Sequence, residues 1–230
     1  KEFGLQDKIV EMNKAAARLA KEAMGDKGFV AASVGPTGQI AYDEGGTESE
    51  EALYNAFKEQ VVALAEGGAD AFCIETMMSV VEATQAVKAA KENTDLPIIC
   101  TFTFEKGARG FRTMMGATPA MAAEAVVEAG ADIVGANCGN GIENMIEITK
   151  EIRAALPDTP ILIHANAGMP VLEDGKTVFK DTPEDMASRV KELIAAGANI
   201  IGGCCGTSPA HIAAMAKAAK AGGCGCDCCH

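Results

Sequence analysis

The chain has 230 residues, of which 48% are hydrophobic and 23% charged, a balance that describes a globular protein able to bury a sizeable core. Lys and Arg number 20 against 32 Asp and Glu, so the formal net charge is −12, and such a surface repels nucleic acid and anionic membranes. No apolar run approaches the roughly 18 to 20 residues of a bilayer span, and no basic-plus-apolar leader opens the chain, so no membrane association and a cytoplasmic location are expected.

In chain order, polar amphipathic stretches alternate with short apolar runs rich in Ile, Val and Ala, the pattern of βα units around a parallel sheet. Strands are predicted over residues 29–34, 71–75, 97–103, 132–137, 160–165 and 199–203. Helices are predicted over 6–24, 49–66, 79–93, 119–129, 142–156, 183–196 and 209–221. Three helix-to-strand breaks are built alike: Gly67-Gly68-Ala69-Asp70, Ala129-Gly130-Ala131-Asp132 and Ala196-Gly197-Ala198-Asn199. Each offers a glycine that can end a helix in the left-handed conformation just before a buried strand.

The turn Val34-Gly35-Pro36-Thr37-Gly38 after the first predicted strand lacks the G-x-G-x-x-G of a dinucleotide fold. A (β/α)8 TIM-type barrel needs eight strands, so the pattern predicts an α/β barrel lacking its first βα unit and second strand, with a helix leading. Residues 1–221 are assigned to this N-terminally incomplete barrel, and the opening at Lys1 rather than Met is consistent with material upstream. Residues 222–230 form a Cys-rich tail, expected to be disordered.

Functional groups of parallel α/β folds gather at the carboxyl ends of the strands. Here those ends carry Glu75-Thr76, Asn137-Cys138-Gly139, Asn166-Ala167-Gly168 and Cys204-Cys205-Gly206. Nine cysteines in a chain of this size suggest metal or thiol chemistry rather than a disulfide framework. Adjacent Cys204 and Cys205 can reach one metal only where the strand breaks into a turn, and Gly202, Gly203 and Gly206 permit that break. With Cys138 they make three thiolates, the number of protein ligands in a catalytic zinc site with one open position. Small buried cysteines packed among glycines remain the alternative.

Glu75 shares its strand parity with Ala71 and Cys73, whereas Phe72 and Ile74 share the other. A carboxylate on the inward parity at a barrel mouth calls for a cation, either a substrate ammonium group or a structural Arg or Lys. Asn137 and Asn166 are offered as substrate hydrogen-bonding groups, although Asn is also common in turns. Cys73, Cys100 and His164 read as core residues, and His211 as solvated. In the tail, Cys224, Cys226, Cys228, Cys229 and His230 could hold a soft metal, the basis of a rival reading as a non-catalytic metal-handling protein.

Together the segments Gly135-Ala136-Asn137-Cys138-Gly139, Asn166-Ala167-Gly168-Met169-Pro170 and Gly202-Gly203-Cys204-Cys205-Gly206-Thr207, with Ile74-Glu75-Thr76 and Gly35-Pro36-Thr37, resemble the zinc-dependent homocysteine S-methyltransferases. The resemblance is greatest to the homocysteine-binding module of cobalamin-dependent methionine synthase and covers about residues 2 to 220. It implies a (β/α)8 barrel, zinc held by Cys138, Cys204 and Cys205, and a substrate amino group received by Glu75. It implies methyl transfer to homocysteine giving methionine, with methylcobalamin on a separate corrinoid protein as donor, or betaine or a methylsulfonium compound instead. The family's Asp-Gly-rich first strand has no counterpart in this sequence, and only Glu2-Phe3-Gly4 could represent material just after its second strand, so the resemblance leads one to expect that the amino-terminal part of the amino-acid pocket is missing from these 230 residues.

Overall fold

Helices and strands alternate in the computed structural model, which describes residues 4–221. The Cys-rich tail lies outside the described residues. Six parallel strands form one sheet in the order β1-β2-β3-β6-β7-β10: β1 (Ala31–Val34), β2 (Ala71–Met77), β3 (Ile98–Phe102), β6 (Ile133–Gly141), β7 (Ile161–Asn166) and β10 (Ile200–Gly203). Around them run α1 (Ile9–Met24), α2 (Glu50–Glu66), α3 (Val80–Asn93), α4 (Pro119–Ala129), α5 (Ile142–Ala155), α6 (Pro183–Ala195) and α7 (Pro209–Ala221). Among the described residues no helix is long and apolar enough to cross a membrane.

The sheet curls. Strands β2 and β6 are in contact although β3 lies between them, and the side chains sort by parity onto two faces. Phe72, Ile74, Ile98, Val134, Ile161 and Ile163 point outward and pack under the helices in the main core. Cys73, Ile99 and Leu162 form a smaller cluster on the concave face, with Ile133 against it. Eight-stranded closure is not observed: the described strands make an open half-barrel in which β1 and β10 are each paired on one side. Cys73 and Cys100 are buried, and burial pushes both thiols up, Cys73 to about 12.

The three similar breaks have a common cause. Gly68, Gly130 and Gly197 take φ values of 94°, 112° and 115°, ending α2, α4 and α6 in the left-handed region. The Asp or Asn two residues later reaches sideways to the start of the adjacent strand. Asp70 accepts from the Val30 amide at 2.7 Å, Asp132 from Ile98 at 2.9 Å and Asn199 from Ile161 at 2.9 Å. Each side chain thus caps an amide at the amino end of the sheet, where a strand's first N–H would otherwise lack a partner.

Two β-hairpins that the hydrophobic pattern does not predict follow β3 and β7. One joins β4 (Glu105–Gly107) to β5 (Gly110–Arg112), and the other joins β8 (Val171–Glu173) to β9 (Lys176–Val178). Asp174 and Gly175, at φ 49° and 74°, make the tight turn of the second.

Gly135 fixes the spacing of β6 and β7, because a Cβ there would stand 1.7 Å from the Leu162 carbonyl oxygen. Gly135→Ala must therefore push two central strands apart. It is expected to cost about 3 kcal/mol or more, read as a lower denaturant midpoint; a midpoint equal to wild type would contradict this packing.

Candidate metal centre

Strand β6 leaves its register with β7 between Asn137 and Gly141, and Cys138 at that break has φ 58°. Gly139 follows at φ 68°, and a Cβ on it would lie 2.5 Å from Thr103 Oγ1, so chain and neighbour meet closely here. The left-handed kink turns the Cys138 sulfur towards the end of β10, where the chain bends as the Gly-rich sequence requires. The Cys204 amide still donates to the Ala165 carbonyl at 2.8 Å, and the Thr207 hydroxyl and amide close a turn onto the Cys204 carbonyl at 2.7 and 3.1 Å. Cys205 is held from both sides: its amide donates to Asn166 Oδ1 at 3.1 Å and its carbonyl accepts from the Ala167 amide at 3.0 Å.

These two turns bring together Cys138, Cys204 and Cys205, whose sulfurs all lie within 4.8 Å of one another. Cys138 and Cys205 are 3.6 Å apart. Two sulfurs each about 2.3 Å from a tetrahedral zinc ion stand roughly 3.8 Å apart, so the trio has the span such an ion requires. The chemistry of the donors agrees. Burial, and then the neighbouring Cys138, push the Cys204 thiol up to about 12, while the hydrogen bond with Cys138, and then burial, raise Cys205. Cys204 and Cys205 are thus held towards the protonated form, and a bound divalent cation would compensate the charge of the thiolates.

Glu75 ends the inward parity of β2 and accepts a hydrogen bond from the Ser33 hydroxyl at 2.5 Å. Among the described residues no Lys or Arg pairs with it. Ser33 escapes the sequence reading, although its place opposite Cys73 in the β1–β2 register puts it on the concave face. The Gly35-Pro36-Thr37 loop has a structural role, since Thr37 donates through its amide and hydroxyl to buried Glu82 at 2.7 and 2.6 Å.

Both asparagines offered to substrate are buried, and each makes hydrogen bonds within the protein. Asn137 is 0% exposed and Asn166 is 2% exposed. Asn166 supports Cys205 as described. Asn137 Oδ1 accepts from the Thr76 amide and the Thr101 hydroxyl, each at 2.7 Å, and its Nδ2 donates to Thr76 Oγ1 at 2.7 Å and faces Cys204 Sγ at 3.9 Å.

The histidines also differ from expectation in part. His211 is buried rather than solvated: Nδ1 accepts from the Ser208 amide at 3.1 Å, which leaves Nε2 to donate to the Asp181 carbonyl at 2.9 Å and tie α7 to the start of α6. His164 is half-buried on the concave face beside Gly202, where a Cβ would come within 2.7 Å of its Nε2. Burial lowers its pKa from the ordinary 6.5, and Glu75 opposes that shift. Since the folded chain disfavours imidazolium here, the stability tied to His164 is present above about pH 6.5, its unfolded value, and is lost as pH falls below it. An NMR titration is expected to place its midpoint below 6.5, and lower still in Glu75→Gln; a midpoint at or above 6.5 would be contrary.

Residues 1–219 match the family model described as homocysteine S-methyltransferase. The methionine synthases of Mycobacterium tuberculosis (strain ATCC 25618 / H37Rv) and Mycobacterium leprae (strain TN) are each 27% identical over 229 residues, covering 94% of this chain. The chain spans only 19% and 18% of their lengths. Among solved structures, the apo form of the homocysteine methyltransferase MmuM from Escherichia coli superposes with a TM-score of 0.69 at 22% identity, over 91% of this chain and 74% of that one. Its metallated form gives 0.66 at 24%, over 90% and 67%. At such identities the superpositions speak for the fold, a curled parallel α/β sheet compatible with part of a TIM barrel. The family match spans nearly the whole sequence and includes every residue of the sulfur site, and the chain belongs to the homocysteine S-methyltransferase family.

Proposed function

We propose that the chain transfers a methyl group to the thiol of homocysteine, giving methionine, and that a methylated corrinoid on a separate protein is the donor. The observation that carries this reading is the convergence of Cys138, Cys204 and Cys205 on one rim of the concave face that also presents Glu75. Those three thiolates would hold zinc, which when bound supplies the deprotonation of the substrate thiol at neutral pH. Glu75, aimed by Ser33, receives the substrate ammonium group and so sets the direction from which the sulfur reaches the rim. The sulfur–methyl bond forms as the methyl–donor bond breaks, and the thiol proton is released to solvent. Asn166 keeps the Cys205 turn in place.

Metal analysis followed by methionine formation from homocysteine with methylcobalamin, betaine and a methylsulfonium donor tests the proposal. One zinc per chain is expected, retained when residues 222–230 are removed, with turnover from the corrinoid donor. Loss of the metal with the tail would favour the metal-handling reading, and zinc without methionine from any donor would overturn methyl transfer.

A further inference from the structure

The carboxyl ends of β2 and β6 share an unusual feature. Both strands lose register, between Ile74 and Met77 in β2 and between Asn137 and Gly141 in β6. At each break a residue other than glycine is left-handed: Thr76 at φ 62° and Cys138 at φ 58°. This is unfavourable for any L-residue and more so for β-branched threonine, so something must hold it.

The side chain of Asn137 does so. Its amide meets Thr76 twice, accepting from the peptide N–H and donating to the hydroxyl, each at 2.7 Å. The N–H can only donate, which fixes which amide atom is oxygen. The remaining oxygen capacity goes to Thr101, and the remaining Nδ2 hydrogen faces Cys204 Sγ. With no exposed surface, this side chain has no direct route to substrate. Yet Thr76 directly follows Glu75, Cys138 directly follows Asn137, and Cys204 lies against its nitrogen. One buried amide thereby sets the peptide behind the acceptor's carboxylate and two of the three sulfurs.

We infer that Asn137 is a positioning residue that couples the amino-acid site at Glu75 to the sulfur site, so that slackening the clasp weakens both. The inference rests on the proposed acceptor role of Glu75. Alanine cannot make the clasp, and aspartate could not donate to Thr76 Oγ1 while accepting from its amide.

Two readouts that need no turnover test this on the full chain: zinc affinity by competition with a chromophoric chelator, and homocysteine binding to the zinc-loaded protein by calorimetry. Asn137→Ala is expected to weaken both by about tenfold or more, the consequence of leaving several buried partners unsatisfied. Because that variant opens a buried gap and can fail to fold, Thr76→Ala is the deciding one. It removes one hydrogen bond at a half-buried site, and both affinities are expected to fall about three- to tenfold, with Thr76→Ser restoring them. A merely structural role would lower the melting temperature and leave both affinities of the folded protein unchanged. If Thr76→Ala leaves either affinity within twofold of wild type, the coupling is overturned. Failure of wild type to form methionine would instead remove the proposed reaction, a result that the two binding measurements would separate from this one.

Discussion

Cys204→Ala is expected to abolish stoichiometric zinc binding and, with it, methyl transfer. The site offers three sulfurs within 4.8 Å, and they come from only two turns, so each missing sulfur leaves a pair that cannot enclose an ion. Structural zinc sites with four ligands are worth roughly 10–16 kcal/mol, or about 3 kcal/mol per ligand, which corresponds to a loss of two orders of magnitude or more in affinity. Cys204 is also the sulfur that Asn137 faces and whose carbonyl closes the turn with Thr207, so the substitution removes a ligand without removing the turn's backbone bonds. The expected result is a folded chain that loses its metal on dialysis against a mild chelator and whose kcat/KM falls by about a thousandfold, in line with loss of an activated nucleophile. Stoichiometric zinc in this variant, with residues 222–230 removed, would show the ligand set to be different.

Glu75→Gln is the second large effect. Glutamine keeps the size and an acceptor oxygen for the Ser33 hydroxyl but removes the charge proposed to receive the substrate ammonium group. Loss of one charge from a hydrogen-bonded, partly desolvated pair costs about 2 kcal/mol, so kcat/KM for homocysteine is expected to fall roughly thirtyfold, mostly through KM. A thiol of the same length without an amino group separates recognition from structure. Its use as an acceptor is expected to be unaffected by Glu75→Gln, and an equal loss for both thiols would mean that the carboxylate supports the strand end instead.

Much of this arrangement is legible in the amino-acid sequence because it is local. Helix-strand alternation follows hydrophobic period, and the three similar breaks, each Gly-Ala followed by Asp or Asn, announce both the helix end and the strand start. Alternation along Ala71 to Glu75 places the carboxylate on the concave face, since Phe72 and Ile74 must lie under helices. The hairpins are missed because strands of three residues are too short for a period, although Asp174-Gly175 is itself a strong turn signal. The hydrogen bonds of Asn137 are illegible for a different reason. Its partners Thr76 and Thr101 lie 61 and 36 positions away, and nothing near it in the chain reveals that its amide is fully used. Ser33 is similar, being recognisable only once the β1–β2 register is known. His211 looks solvated from its place in a helix's first turn, but the loop before α6 folds over it.

The side-chain caps from Asp70, Asp132 and Asn199 all sit at the amino ends of the strands, opposite the sulfurs. They stitch the floor of the half-barrel, where a slip of one residue would turn every concave side chain into the helix layer. With alignment secured below, the rim is free to carry distorted peptides and crowded sulfurs without risking the frame. A scaffold organised in this way can have its upper loops exchanged for others, and so be retuned towards a different thiol, while its foundation stays as it is.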